Sequence, residues 1–230
     1  EPMTVNLSKD GGIFSSWNCL EGENTFLAVY LSAEGNKKEF DLTQMPEGQG
    51  YVYKSQFSPS GNILLMGDKF LCEISREDGR LIRTYESGGY VTDFGIAGNQ
   101  LLVFADDTIH YYNAKTGDPL PEETVFTEHL QMESGENTEE VVSSRVFTGM
   151  GEQGILYVSK KGIYVYNLGG SVVEQLLSEG YLTGISSKTE LMDVETDADG
   201  NIYLAVSDRY SDNPTGMLLK YGYDKEQEAV

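Results

Sequence analysis

The chain is 230 residues long, 39% hydrophobic and strongly acidic, with 37 Asp and Glu against 16 Lys and Arg and a formal net charge of -21. That field repels phosphate backbones and anionic lipid surfaces, which argues against nucleic-acid and membrane-surface roles. No apolar run approaches the roughly 20 residues of a membrane span, the opening EPMTVNLSK holds no signal-peptide core, and two cysteines, Cys19 and Cys72, neither make a disulfide framework nor match a zinc spacing.

With 26 Gly and 15 Tyr, the composition favours many short strands joined by tight turns over helices. The length fits one domain over residues 1–230. Met3 to Leu7 is a candidate strand for the last blade of a closed repeat, because pairing the two chain ends removes an exposed edge. A first unit follows at 12–42, with strands at Ile13 to Trp17, Thr25 to Leu31 and Lys38 to Leu42 and a turn at Glu34-Gly35-Asn36.

The second unit, 50–86, enters at Gly50-Tyr51 and is the most regular. Its residues Phe70, Cys72 and Ile74 alternate with Leu71 and Glu73, the period of a strand, and Asp78-Gly79 supplies a hairpin turn. Cys19 and Cys72 read as small buried strand residues. The third unit, 89–120, repeats this grammar with Gly89-Tyr90, Leu101 to Ala105, Thr108 to Asn113 and Thr116-Gly117.

From 118 to 142 come Asp118, Glu122, Glu123, Glu128, Glu133, Glu136, Glu139 and Glu140 with no Lys or Arg, which reads as an exposed insertion between two blades. The fourth unit, 144–177, has strands at Arg145 to Thr148, Gly154 to Ser159, Gly162 to Asn167 and Val172 to Leu177. The fifth, 180–222, enters at Gly180-Tyr181 and runs through Met192 to Thr196, Ile202 to Val206 and Met217 to Tyr221. Glycine turns after the third strand of each unit at 35, 79, 117, 170 and 222 are 44, 38, 53 and 52 residues apart. Such spacing is that of a blade of about 40 to 50 residues. The expectation is an all-β β-propeller of about five to six four-stranded antiparallel blades.

Particular hairpins carry family resemblances. Phe57-Ser58-Pro59-Ser60-Gly61-Asn62 resembles the strand turn of TolB-like and WD-repeat propellers, Asp199-Gly200-Asn201-Ile202-Tyr203 that of NHL-type and gluconolactonase-like ones, and Asn113-Ala114-Lys115-Thr116-Gly117 that of quinoprotein-like ones. These residues serve turn geometry, so they imply a bacterial repeat propeller and no activity. There are no Trp-Asp dipeptides, the single tryptophan is Trp17 and the repeat length varies, so no subfamily is assigned and no quinone is implied.

In a propeller, the first-strand entries and the loops between second and third strands share one face, where ligands arrive. Here that face is expected to hold Tyr51, Tyr90 and Tyr181, with Asp68, Asp106, Asp107, Lys160 and Lys161 in the middle loops and Asp208, Arg209, Tyr210 and Asp212 in the longest of them. The expected ligand-binding residues are Tyr51, Tyr90, Tyr181, Tyr210, Asp106, Asp107 and Arg209. Tyrosines beside carboxylates can stack on and hydrogen-bond a sugar or peptide; equally, they can plug the gap between blades.

Glu195, Asp197, Asp199 and Gly200, after Asp193, copy the start of a calcium loop, but Val206 stands where its closing bidentate Glu belongs. Calcium at Asp193, Glu195, Asp197 and Asp199 is thus a weak candidate, and no other cofactor is expected. His110 and His129 belong to no nucleophile motif.

The sequence therefore reads as a non-catalytic binding module for a glycan, peptide or protein. The expected setting is a monomer in a secreted or surface-anchored bacterial protein, any lipid anchor lying outside these residues. The alternatives are a metal-dependent hydrolase or lyase of the gluconolactonase-like class, and a structural docking platform contacted through the acidic insertion.

Overall fold

Short apolar runs closed by Gly, Asn and Asp fold as strands because each can bury its side chains only against a neighbouring sheet. The computed structural model describes residues 2–19, 25–42, 45, 52–105, 108–121, 146–150, 154–159, 161–167, 172–177, 190–197, 199–207 and 215–222. Strands are the only regular elements among them.

The first sheet runs β1 (Pro2–Leu7), β2 (Ile13–Cys19), β3 (Thr25–Leu31), β4 (Lys37–Asp41), and the second β5 (Lys54–Phe57), β6 (Ile63–Gly67), β7 (Phe70–Ile74), β8 (Leu81–Tyr85). The third holds β9 (Val91–Ala97), β10 (Gln100–Ala105) and β11 (Thr108–Asn113). The fourth is β12 (Val146–Gly149), β13 (Gly154–Ser159), β14 (Gly162–Asn167), β15 (Val172–Leu177), and the fifth β16 (Glu190–Thr196), β17 (Ile202–Ser207), β18 (Gly216–Tyr221). The fold is an all-β propeller of five antiparallel blades.

Two expectations change. Met3 to Leu7 does not join the last blade: β1 pairs antiparallel with β2, Leu7 opposite Ile13 and Thr4 opposite Ser16, as the first strand of the first sheet. The physical reason is local, since Ser8-Lys9-Asp10-Gly11-Gly12 closes the same five-residue turn as Ser58-Pro59-Ser60-Gly61-Asn62. In both, the first residue's N–H bonds the fifth residue's carbonyl and the glycine's N–H returns to the first carbonyl. Gly61, at φ 83°, takes the left-handed conformation this turn needs.

The acidic stretch also begins as blade. Tyr112 bridges Pro119 and Leu120 N donates to Tyr111 O at 2.7 Å, so residues 118–121 lie along β11 where a fourth strand would run. The remainder, 122–142, lies outside the described residues. Among the described residues the first, second and fourth sheets have four strands and the third and fifth have three.

The described residues divide into two compact units, one from 1–94 and 99–122, the other from 95–98 and 123–230. In the first, Phe14, Tyr30 and Phe40 of the first sheet meet Ile63, Leu65, Phe70, Cys72 and Ile74 of the second. Strand β7 is buried on both faces, which explains why its alternation runs between two apolar sets, with Glu73 the exception. Cys72 packs 3.8 Å from the Met45 sulfur, and burial pushes its thiol up to about 12, so it is an inert core residue. In the second unit, Leu156, Val158 and Ile163 of the fourth sheet pack with Leu191, Val194, Leu204 and Val206 of the fifth.

Turns also join sheets. Arg76, in the β7–β8 turn, donates to Asp10 Oδ2 at 2.6 Å in the β1–β2 turn and lies 5.4 Å from the Tyr30 ring centroid. The Ser8 hydroxyl bond to Asp10, followed by Arg76, lowers that carboxyl from 3.8 to about 2. A folded pKa below the unfolded one contributes stability that is present above pH 3.8 and is lost as pH falls through about 2. Carboxyl NMR should place the Asp10 midpoint near 2, with Ser8→Ala moving it up toward the ordinary value; a midpoint unmoved by that change would contradict the assignment.

Candidate ligand face at the strand entries

Antiparallel pairing fixes which ends of the strands lie together. In the second sheet Gly67 stands opposite Phe70, leaving Asp68-Lys69 as a two-residue turn, and Tyr53 N donates to Met66 O at 2.8 Å just before β5. Val91 N, at the start of β9, donates to Asp68 O at 2.9 Å. The entries of β5 and β9 and the β6–β7 turn therefore meet at one end of this unit, as the sequence reading requires. Tyr53 and Tyr90 are exposed there, Tyr90 at 56%, and Lys69 Nζ lies 4.9 Å from the centre of the Tyr90 ring.

Beneath this rim the first strands are tied together by polar groups. Lys54 Nζ donates to Asp93 Oδ1 at 2.6 Å and to Phe94 O at 3.0 Å, and sits 5.1 Å from the Phe94 ring centroid. Asp93, buried, also accepts the Phe94 N–H at 2.7 Å. Between β1, β2 and β5, the Thr4, Ser16 and Ser55 hydroxyls bond in series at 2.9 Å, and Asn6 donates to Ser55 Oγ at 2.8 Å. A buried network with its donors and acceptors matched holds its strands in one geometry, so the rim rests on a fixed base.

The opposite end of the second sheet is organised by a residue that the sequence reading passed over. Glu73, 0% exposed, accepts the Ser58 hydroxyl at 2.9 Å, the Ser60 hydroxyl at 2.8 Å and Asn62 Nδ2 at 3.1 Å on Oε1. On Oε2 it accepts the Tyr85 hydroxyl at 3.3 Å, and Arg83 Nε lies 3.0 Å away, an ion pair without the alignment of a hydrogen bond. Burial first, and the Glu73 charge second, raise the Tyr85 phenol above its ordinary value. The Ser58–Asn62 turn, read as backbone geometry, thus also supplies three side-chain donors to one carboxylate. A Glu in the middle of an apolar strand, opposite a turn rich in hydroxyls, was the available signal.

Of the seven expected ligand-binding residues, Tyr90 is placed as described; Tyr51, Tyr181, Tyr210, Asp106, Asp107 and Arg209 lie outside the described residues, as do Lys160, Asp208, Asp212 and His129. Half-buried His110 stands opposite Val103 on β11.

The calcium candidates are all described. Asp197 Oδ1 accepts the N–H groups of Asp199 and Asn201 at 3.0 and 2.9 Å, and Oδ2 accepts Asn201 Nδ2 at 2.7 Å and the Tyr203 hydroxyl at 3.0 Å. The Asn201 bond, chiefly, lowers its carboxyl. Glu195 accepts the Thr148 hydroxyl at 3.3 Å, and Asp193 the Val194 N–H at 2.9 Å. A cation at Asp197 would have to displace four donors, and among the described residues no three His, Cys, Asp or Glu side chains form a group able to hold a metal.

No family model and no curated protein matches the chain. Solved structures do. The extracellular domain of a candidate one component system from B. thetaiotaomicron aligns with a TM-score of 0.54 at 14% identity, over 89% of this chain and 26% of that one. That of a candidate hybrid two component system from the same organism gives 0.52 at 12% identity, over 89% and 25%. A chain of the mitotic checkpoint complex gives 0.54 at 9% identity, over 96% and 79%. At these identities the likeness is one of fold. The chain spans about a quarter of the length of the two extracellular domains.

Proposed function

We propose that this chain is a non-catalytic binding module of a bacterial protein that works outside the cell or at its surface, and that it takes a glycan, peptide or protein ligand at the end where the first strands enter. The observation that carries the reading is the exposed Tyr90 ring with Lys69 Nζ 4.9 Å from its centre, at the end where Tyr53 is also exposed, above the Lys54–Asp93 pair. An exposed aromatic on a rigid base gives contact area at little entropic cost. The two B. thetaiotaomicron neighbours are extracellular domains of a candidate one component system and a candidate hybrid two component system, and that supports the proposed setting.

The test is a glycan and peptide array read with wild type beside Tyr90→Ala and Tyr53→Ala. The expected result is a ligand whose binding falls at least tenfold, about 1.4 kcal/mol, in Tyr90→Ala with the melting temperature unchanged. Ligands that bind both proteins equally would place the site elsewhere.

A further inference from the structure

We propose that the Tyr90 ring is a seat for a ligand's ammonium or guanidinium group, so that the ligand class is a cationic peptide, and that Lys69 holds this seat in the free protein. The inference rests on the strand-entry reading above and names the chemistry of that site.

Four aromatic rings of the described residues hold a basic group near their face: Phe94 with Lys54, Tyr90 with Lys69, Tyr30 with Arg76 and Tyr203 with Lys220. Phe94 and Tyr30 are buried and Tyr203 half-buried, so their cations are structural; Tyr90 is the exposed one. Its face is electron-rich, and an ammonium already rests on it at 4.9 Å. Lys69 is itself exposed and stands on a two-residue turn, so its hold on the ring is weak and a second cation can replace it.

The surroundings favour that exchange. Lys37, Lys38, Lys54, Arg76, Arg80 and Arg83 are each paired with a carboxylate, so much of the positive charge is consumed internally. The excess that remains, -21 for the chain, draws cations toward the surface and speeds their encounter. Exposed Asp68, next to Lys69 in the turn and bonded through its carbonyl to Val91 N at 2.9 Å, adds a carboxylate to this end of the unit. A neutral sugar would gain nothing from displacing Lys69.

The experiment is fluorescence anisotropy with a short labelled oligolysine peptide, and a neutral Gly-Ser peptide as control, on wild type, Tyr90→Phe, Tyr90→Ala, Lys69→Ala and the double variant. Oligolysine binding should weaken roughly two- to fivefold in Tyr90→Ala, hold in Tyr90→Phe and strengthen by a similar factor in Lys69→Ala. The gain from Lys69→Ala should be smaller when Tyr90 is also Ala, because loss of one positive charge acts in both backgrounds whereas freeing the ring acts only where Tyr90 is present. A gain of equal size in both backgrounds, or oligolysine binding indifferent to Tyr90, overturns the cation seat. If an array ligand still depends on Tyr90 in that case, the strand-entry face stands without it; if none does, both readings fall.

Discussion

Glu73→Ala should cost about 3–5 kcal/mol of folding stability, the loss typical of breaking a buried ion pair from one side. The substitution leaves Arg83 without its carboxylate and strips the acceptor from the Ser58, Ser60, Asn62 and Tyr85 donors at once. Glu73→Gln keeps the shape and one oxygen acceptor but loses the charge, so its cost should lie near 1–3 kcal/mol. Urea unfolding followed by Tyr fluorescence reads both as a lower midpoint with unchanged slope. An alanine variant within about 1 kcal/mol of wild type would mean that the carboxylate is not the organiser of this end of the blade.

Phe14→Ala should cost about 3–5 kcal/mol as well, for a different reason. Phe14 is 0% exposed and stands on β2 in the core shared by the first two sheets. Its neighbour in register, Asn6 on β1, reaches Ser55 in the second sheet, so the removed ring would open a cavity where two blades meet. Val5, which points to the exposed face of β1, is the internal control, and Val5→Ala should stay within about 0.5 kcal/mol. Equal costs at the two positions would contradict the assignment of faces, and with it the placing of β1 in the first sheet.

The fold was legible where period and punctuation agreed. Strands such as Phe70–Ile74 and Gly162–Asn167 are short apolar runs closed by nearby turn residues, Asp78-Gly79 after the first and Gly162 and Asn167 at the ends of the second, so neither their existence nor their order needed tertiary information. The place of β1 was harder, because a strand's period does not say which neighbour it pairs with; the clue was the Ser-x-x-Gly turn at Ser8. The end at which Tyr90 enters was legible only in part: antiparallel order puts a first-strand entry level with the middle turn of its own blade, but the closeness of Val91 to the Asp68 turn of the preceding sheet comes from packing between sheets. Its partner Lys69 was not, since a ring contact between residues 21 positions apart, 69 and 90, depends on side-chain direction. Glu73 was visible as a residue but not as a hub, because nothing in a linear pattern says that four hydroxyl and amide donors will converge on one carboxylate.

Under the proposed function, the strand-entry end of the first unit binds and the Glu73 end of the second sheet braces. Hydrogen exchange, with and without the strongest array ligand, tests it most directly. Ligand-induced protection is expected at 52–54, 68–69 and 90–93, with the turns at 58–62 and 75–80 unchanged. Protection confined to 58–62 and 75–80 would put the ligand on the Glu73 end and contradict binding at the strand entries.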